Sequence, residues 1–132
     1  MGIFKFFSNE PKKFVPRESF VEITNRQLTM TPQTLMQLRK YNVTPEKELK
    51  LEFFFYTNTS AKADALATAL LNRSYQVNHG PSASDKNIQI ITGWTAKFPM
   101  NDSSVLEWTK DMCELGFEHD CEFDGWGTNP EQ

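Results

Sequence analysis

The stretch at residues 49–56, LKLEFFFY, constrains the fold of this chain more than any other part of it. Successive side chains of a strand point to opposite faces of its sheet. One predicted face is wholly apolar and carries Leu49, Leu51, Phe53 and Phe55. The other face runs from charged to aromatic and carries Lys50, Glu52, Phe54 and Tyr56. Because a strand this apolar would promote aggregation at a sheet edge, the pattern predicts a central strand with helices packed on its apolar face.

The composition predicts a single intracellular domain. The 132 residues have room for one hydrophobic core, and 13% of them are aromatic, which provides large side chains to bury. No apolar run approaches the roughly 18 residues that span a bilayer, and the opening MGIFKFF is interrupted too soon for a signal peptide. We therefore expect a cytoplasmic protein in which Cys113 and Cys121 are thiols. The net charge of −3 disfavours a phosphate-binding role.

A helix is predicted before the central strand. Thr31 followed by Pro32 is typical of a helix start, with a hydroxyl as N-cap and proline in the first helical position. Asn42 suits the C-terminal end of this helix. A shorter helical segment is predicted over residues 17–25.

The remaining elements predict a ferredoxin-like α+β fold. Helices are expected at residues 61–73 and 103–115, the second stopping at Gly116, and strands at residues 49–56, 74–79, 87–98 and 117–124. This βαββαβ order places both helices on one face of an antiparallel sheet. In that topology the strands lie in the order last, first, third, second, so the apolar strand is central.

The chain divides into three predicted parts. Residues 1–27 form a partly helical N-terminal arm, residues 28–128 a single domain, and residues 129–132 a C-terminal tail. The arm contains Phe4, Phe6 and Phe7. We expect these rings to fold back on the domain, with contact to a membrane or a partner as the alternative.

Four carboxylates alternate along the predicted last strand: Glu118, Asp120, Glu122 and Asp124. They are expected to project from the helix-free face of the sheet, beside Phe54 and Tyr56. Acidic groups steer basic partners, and buried aromatic side chains supply much of the affinity. These six residues are therefore the predicted partner-binding site. A charged edge strand that prevents pairing between sheets is the alternative, and the two roles are compatible.

Other chemistries have weaker support. Aromatic residues on an open sheet stack bases in RNA-recognition domains, but the acidic last strand disfavours direct nucleic-acid binding here. His119 and Cys121 alternate on one predicted strand face near Cys113, without the ligand spacing of a metal site, so His119 is interpreted as a core residue and no metal or other cofactor is expected. The sequence has no GxSxG, phosphate-binding loop, GxGxxG or HExxH motif, which predicts a protein that is not an enzyme.

The closing residues 123–128, FDGWGT, resemble the aromatic-Asp-Gly-Trp-Gly motif of the RraB family, the protein regulators of ribonuclease E activity. The resemblance extends to the strand at 49–56, to the helix that follows it and to LTMT before it, and covers residues 28–128. The motif positions are Asp124, Gly125, Trp126 and Gly127, which we interpret as structural.

The resemblance implies a ferredoxin-like α+β fold and a non-catalytic protein that binds ribonuclease E and lowers its activity on RNA. It further implies contact with the non-catalytic scaffold of that enzyme, whose basic segments suit an acidic surface. The expected partner is ribonuclease E or another basic protein, without direct nucleic-acid or membrane contact, and the protein is either a monomer or a homodimer. Two alternatives remain open: an immunity or adaptor protein for another basic target, and a small-ligand-binding domain of this fold.

Overall fold

The computed structural model describes residues 12–132 of the chain. The predicted docking of Phe4, Phe6 and Phe7 on the domain falls outside the described residues. Within the described part, no helix is both long and apolar enough to cross a membrane.

Residues 12–132 form three helices and six strands. The helices are α1 (Arg17–Lys40), α2 (Ser60–Leu71) and α3 (Asp102–Glu118). The strands are β1 (Glu48–Leu49), β2 (Glu52–Thr57), β3 (Gln76–Pro81), β4 (Gln89–Trp94), β5 (Phe98–Pro99) and β6 (Glu122–Gly127). The predicted α+β fold class is confirmed.

The four longer strands form one antiparallel sheet in the order β3-β4-β2-β6. This is the predicted order, with β2 in the interior between β4 and β6. Helix α2 packs on β3, β4 and β2, α3 packs on β6, and α1 lies along α3 and reaches β6. The short strands β1 and β5 pair with each other in a second, two-stranded sheet.

The apolar face of the central strand is buried as predicted. Leu49, Leu51, Phe53 and Phe55 are all 0% exposed. They share one core with residues of the three helices, among them Leu35, Leu66, Leu70, Val105 and Met112. Full burial of one Leu or Phe side chain stabilises by about 1.5–3 kcal/mol, so this face supports much of the fold.

The predicted strands at 49–56 and 87–98 are each interrupted, near Leu51 and Thr95. The Thr95 hydroxyl accepts the N–H of Leu51 at 2.9 Å, and the N–H of Thr95 donates to the Leu51 carbonyl at 2.9 Å. The Thr95 side chain therefore takes the place of the backbone carbonyl that would accept the Leu51 N–H in a regular ladder. The alternation of apolar residues continues through the break and does not reveal it.

The first helix begins earlier than predicted. Thr31 and Pro32 do not start it, because α1 is continuous from Arg17 to Lys40 with the proline inside. An interior proline removes one backbone N–H and costs about 3 kcal/mol. Packing beyond the proline offsets that cost, since Leu35 and Leu38 are both buried.

Each of the three helices is followed by a non-glycine residue with left-handed backbone. Asn42, with φ 66°, ends α1 as predicted, Ser74, with φ 66°, follows α2, and Asp120, with φ 56°, follows α3. The N–H of Asp120 donates to the Phe117 carbonyl at 3.2 Å, and that of Cys121 to the Gly116 carbonyl at 2.8 Å. This pair of bonds is a Schellman motif, which turns the chain sharply out of the helix.

The predicted strand at 117–124 is wrong in its first half. Strand β6 begins at Glu122, because α3 continues to Glu118. Gly116 does not stop the helix but lies inside it, where a Cβ would be 2.7 Å from the carbonyl oxygen of Cys121. Close packing, rather than helix termination, requires glycine there.

Asp120 joins separate parts of the chain at this turn. Its carboxylate accepts the N–H groups of Phe14 at 2.9 Å and Val15 at 2.7 Å, and lies 2.6 Å from Lys62 Nζ. Its carbonyl accepts the Thr57 hydroxyl at 2.9 Å. Burial opposes ionisation of Asp120, but the hydrogen bonds from Lys62 and the two N–H groups outweigh it, so the pKa lies below its ordinary value.

We expect Asp120→Asn to lower the free energy of unfolding at neutral pH by roughly 1–3 kcal/mol, because buried donors lose a charged acceptor. Asparagine tolerates left-handed backbone, so the change reports on charge. A carboxyl group whose pKa is lower in the folded than in the unfolded state stabilises the folded protein. This stabilisation is fully present above the unfolded pKa of about 4, and it is lost as the pH falls through the folded pKa. Urea unfolding from about pH 7 down to pH 3 should show the difference between variant and native protein shrinking.

The exposed Glu114→Gln on α3 is the control for loss of one negative charge. A difference between Asp120→Asn and native protein that stayed constant down to about pH 3 would contradict the assignment of this stabilisation to the Asp120 carboxylate.

Candidate docking surface on the open face of the sheet

The sheet face opposite the helices has half-buried aromatic side chains at its centre. In β2 this face carries Glu52, Phe54 and Tyr56, each partly exposed. Strand β4 places Trp94, Thr92 and Ile90 directly opposite those three residues. We name this surface the open face, and it comprises Glu52, Phe54, Tyr56, Ile90, Thr92, Trp94, Glu122 and Asp124.

Ile90 and Trp94 are members of the open face that sequence reasoning missed. The alternation in β4 placed them on one side of the strand without showing which side lies outward. On the other side, a Cβ at Gly93 would be 2.8 Å from the Phe53 ring. The small residue therefore faces the core and the large apolar pair faces outward, which is typical of a contact surface.

A β-bulge in β6 determines where its carboxylates lie. Phe55 pairs with Phe123, but Phe54 pairs with Gly125, so Asp124 is an extra residue without its own partner in β2. Gly125 has φ 116°, a conformation that side chains rarely permit. The glycine thus allows the bulge that leaves Asp124 exposed on the sheet.

The same bulge directs two aromatic side chains of β6 inward. Phe123 is 1% exposed, and the Trp126 ring packs edge-on against Trp108 with centroids 6.4 Å apart. The Trp126 Nε1–H donates to the Thr31 hydroxyl at 3.0 Å, and Thr31 shares a hydrogen bond with Thr109 at 3.2 Å. Strand β6 is thereby fixed to both α1 and α3.

Tyr56 and two carboxylates form an acidic corner of the open face. Glu122 lies directly opposite Tyr56 across the β2–β6 pair. The pKa of the Tyr56 phenol is raised above its ordinary value. Partial burial is the largest cause, and the interaction with Asp124 and the charge of Glu122 raise the pKa further. Burial and the charge of Asp124 also raise the pKa of Glu122, while Arg26 on α1 opposes the rise. Two like charges share this corner, so a cationic group placed there would be stabilised.

The predicted row of four carboxylates on one strand face does not form. Glu118 is the last residue of α3, and Asp120 is 8% exposed in its ion pair with Lys62. The alternation suited a strand, but the Schellman motif removes both residues from the sheet. Glu122 and Asp124 remain on the open face, beside the aromatic residues of β2.

The cysteines and His119 do not assemble into a site. His119 caps the C-terminal end of α3, so the predicted strand face shared with Cys121 is wrong. Cys113 and Cys121 are free and buried, and burial raises the pKa of each thiol to about 11. Both are therefore uncharged near neutral pH. No cluster of metal-ligating side chains occurs within residues 12–132.

Comparison with protein families gives a match over most of the chain. The model of a family described as RraB, regulator of ribonuclease activity B, matches residues 28–128. A comparison with curated proteins finds no match to the chain. The matched range contains every residue of the open face and the FDGWG segment that forms its bulge.

We expect Gly125→Ala to lower the free energy of unfolding by roughly 1–3 kcal/mol, because its positive φ is strained for any residue with a Cβ. Gly127→Ala is the matched control in the same strand, since a Cβ there meets nothing within 4 Å. The control should change stability by about 0.5 kcal/mol or less. Urea unfolding followed by tryptophan fluorescence measures both variants, and equal losses would contradict the role assigned to the bulge.

Proposed function

The chain belongs to the RraB family, and on that premise we propose that it is a non-catalytic regulator that binds a ribonuclease through the open face. One observation carries this proposal: a half-buried aromatic surface adjoins two carboxylates that share a corner with Tyr56. Such a surface has the anchors and the charge that a basic protein partner needs.

The open face favours a basic protein over RNA. Phe54, Tyr56 and Trp94 offer ring surface, which by itself suits either a base or a side chain. Glu122 and Asp124 lie beside those rings and repel the phosphates that any RNA strand would bring with it. The same two charges attract Lys and Arg side chains.

The partner we propose is a ribonuclease E-type endoribonuclease in the cytoplasm, and the effect is inhibition. Basic segments of such an enzyme attract the phosphates of its RNA substrate. The acidic corner competes for the same basic groups, so binding lowers RNA cleavage without any chemistry by this chain. Contact between the open faces of two copies would bring like charges together, which favours a monomer as the binding form.

We expect the purified protein to slow cleavage of RNA by purified ribonuclease E, and Glu122→Lys/Asp124→Lys to raise the concentration needed by at least about tenfold. Replacing both carboxylates turns attraction for basic groups into repulsion. The measurement is the initial cleavage rate of a fluorescent RNA against protein concentration, together with the affinity of the two proteins at low and high salt.

The matched control is Glu114→Lys/Glu118→Lys, which makes the same change in charge at exposed positions of α3, away from the sheet. The control should inhibit as the native protein does. Loss of inhibition in both double variants would show that net charge, and not the open face, is responsible. No inhibition by the native protein would reject ribonuclease E as the partner and favour another basic target, as for an immunity or adaptor protein.

A further inference from the structure

The two edges of the four-stranded sheet differ in how they are protected. Strand β6 forms one edge, where α1 packs against it and where it carries a bulge and the carboxylates of Glu122 and Asp124. Charges, bulges and covering helices prevent edge-to-edge pairing in natural sheets. Strand β3 forms the other edge with the sequence QVNHGP, which has no Asp, Glu, Lys or Arg and no bulge. Within residues 12–132, β3 pairs only with β4.

The free edge of β3 presents the backbone groups of Val77 and His79. The Ser82 N–H donates to the Ile88 carbonyl at 2.8 Å, in register with the β3–β4 ladder. In an antiparallel pair every second residue bonds to the neighbouring strand. Counted back from Ser82, the residues of β3 that bond to β4 are Gly80, Asn78 and Gln76. The N–H and C=O groups of Val77 and His79 therefore point away from β4.

This edge is complementary to a second copy of itself. When two β3 strands run antiparallel about a two-fold axis at Asn78, Val77 of each copy lies opposite His79 of the other. Each such pair exchanges two hydrogen bonds, which gives four in total. A shift by two residues would bring Tyr75 or Pro81 into such a pair. The Tyr75 N–H already donates within its own chain, and proline has no N–H, so either shift leaves a carbonyl of Val77 or His79 without a donor.

A cavity beside the open face fits the same register. It has a volume of about 180 Å³ and is lined by Asn78, His79, Gly80, Pro81, Ile90 and Thr92. A Cβ at Gly80 would meet nothing within 4 Å, so space remains where another residue would have a side chain. In the register centred on Asn78, Gln76 of the second copy lies opposite Gly80 and fills this space. Asn78 then lies opposite Asn78 of the other copy, within hydrogen-bonding reach of its amide.

The helix-covered side of the same edge carries an exposed apolar side chain. His79 Nε2 lies 3.1 Å from the carboxylate of Asp64, so this face of α2 borders β3. Leu71 follows Asp64 by seven residues, or about two helical turns, and lies on the same face of α2. Leu71 is 56% exposed. A second copy at the β3 edge lies beside this side chain and shields it from water.

Charge favours a second copy of this chain as the occupant of the edge. Because β3 has no acidic or basic residue, two copies meet along it without like charges in contact. The acidic corner lies on the β6 side, three strand spacings or roughly 14 Å from β3. The contact is small, below the roughly 1,200 Å² of stable interfaces, so we expect a weak dimer that forms at micromolar concentrations.

We propose that two copies of this chain pair through their β3 edges and join their four-stranded sheets into one antiparallel sheet. The acidic corners stay at the two far edges of that sheet and remain free to bind a partner. This contact is different from one between open faces, which like charge disfavours. The inference goes beyond the proposed function and does not depend on it.

The first test measures the molar mass of the full-length protein by analytical ultracentrifugation over a range of concentrations. We expect a reversible rise from 15.3 kDa towards twice that mass. Asn78→Lys and Asn78→Asp each place two like charges opposite one another and should weaken the dimer at least about tenfold. An equimolar mixture of the two variants should restore the dimer, because unlike charges then meet. Gln33→Lys, an exposed change on α1, is the control and should dimerise as the native protein does.

The second test addresses the register. Gly80→Leu fills the space assigned to Gln76 of the other copy, so it should weaken the dimer at least about fivefold with little change in the melting temperature of the protomer. Asn78→Cys should form a disulfide between copies under mild oxidation, because opposite residues bring their Cα atoms within the roughly 4.4–6.8 Å that a disulfide needs. Gln76→Cys is the control, since the two copies of residue 76 lie far apart in this register and should not cross-link.

Three outcomes would overturn the proposal. A native protein that stayed monomeric at every soluble concentration would do so, and this is also the result if another part of the chain occupies the edge. A dimer unaffected by Asn78→Lys would place the contact elsewhere, as would cross-linking through Gln76→Cys equal to that through Asn78→Cys. The ribonuclease assay reports on the open face, so its failure and the absence of a dimer are distinguishable.

Discussion

The position of the carboxylates that β6 adds to the open face depends on the turn at Asp120. Its carboxylate binds the backbone of Phe14 and Val15 and the ammonium of Lys62, and its carbonyl binds Thr57 at the end of β2. These contacts fix where β6 begins, and Glu122 consequently lies opposite Tyr56. A slip of one residue would exchange the two faces of the strand. The partly buried ion pair of Asp120 and Lys62 lies outside the open face, yet it bears on which carboxylates that face presents.

The FDGWG segment has a structural part and an exposed part. Trp126 fixes β6 to α1 and α3 through the Thr31 hydroxyl and the Trp108 ring. Gly125 takes the backbone conformation that the bulge requires. Asp124 alone contributes to the exposed surface, beside Tyr56. The interpretation of the motif as structural therefore holds for Trp126 and Gly125. Asp124 differs from them, because its side chain is exposed on the sheet.

Much of the fold could be predicted, because the apolar pattern that determines it is local. The alternation in residues 49–56 identified the buried face of β2, and the order of elements predicted the order of strands. The first helix was misjudged because Thr31 and Pro32 have the local chemistry of a helix start. The packing of Leu35 and Leu38 that carries the helix through the proline is a tertiary effect, which no local pattern reveals.

The open face was less predictable for the same reason. The sheet face of Phe54, Tyr56, Glu122 and Asp124 was predicted correctly, since each lies in a segment that is a strand. Glu118 and Asp120 were misplaced because the alternating pattern at 117–124 is ambiguous. It fits a strand, and it also fits the end of a helix that is followed by a left-handed residue. The outward orientation of Trp94 depends on how closely Gly93 approaches Phe53, a contact between strands far apart in sequence.

The bulge has a consequence for the length of β6. Because Phe123 and Gly125 already pair with consecutive residues of β2, a chain that lacked Asp124 would form an uninterrupted ladder with the same aromatic side chains turned inward. In terms of register, Asp124 is an insertion relative to β2, and the ladder continues on both sides of it. The irregularity of the strand and the unusual conformation of Gly125 therefore coincide with the one residue of β6 that contributes its side chain to the surface and not to the ladder.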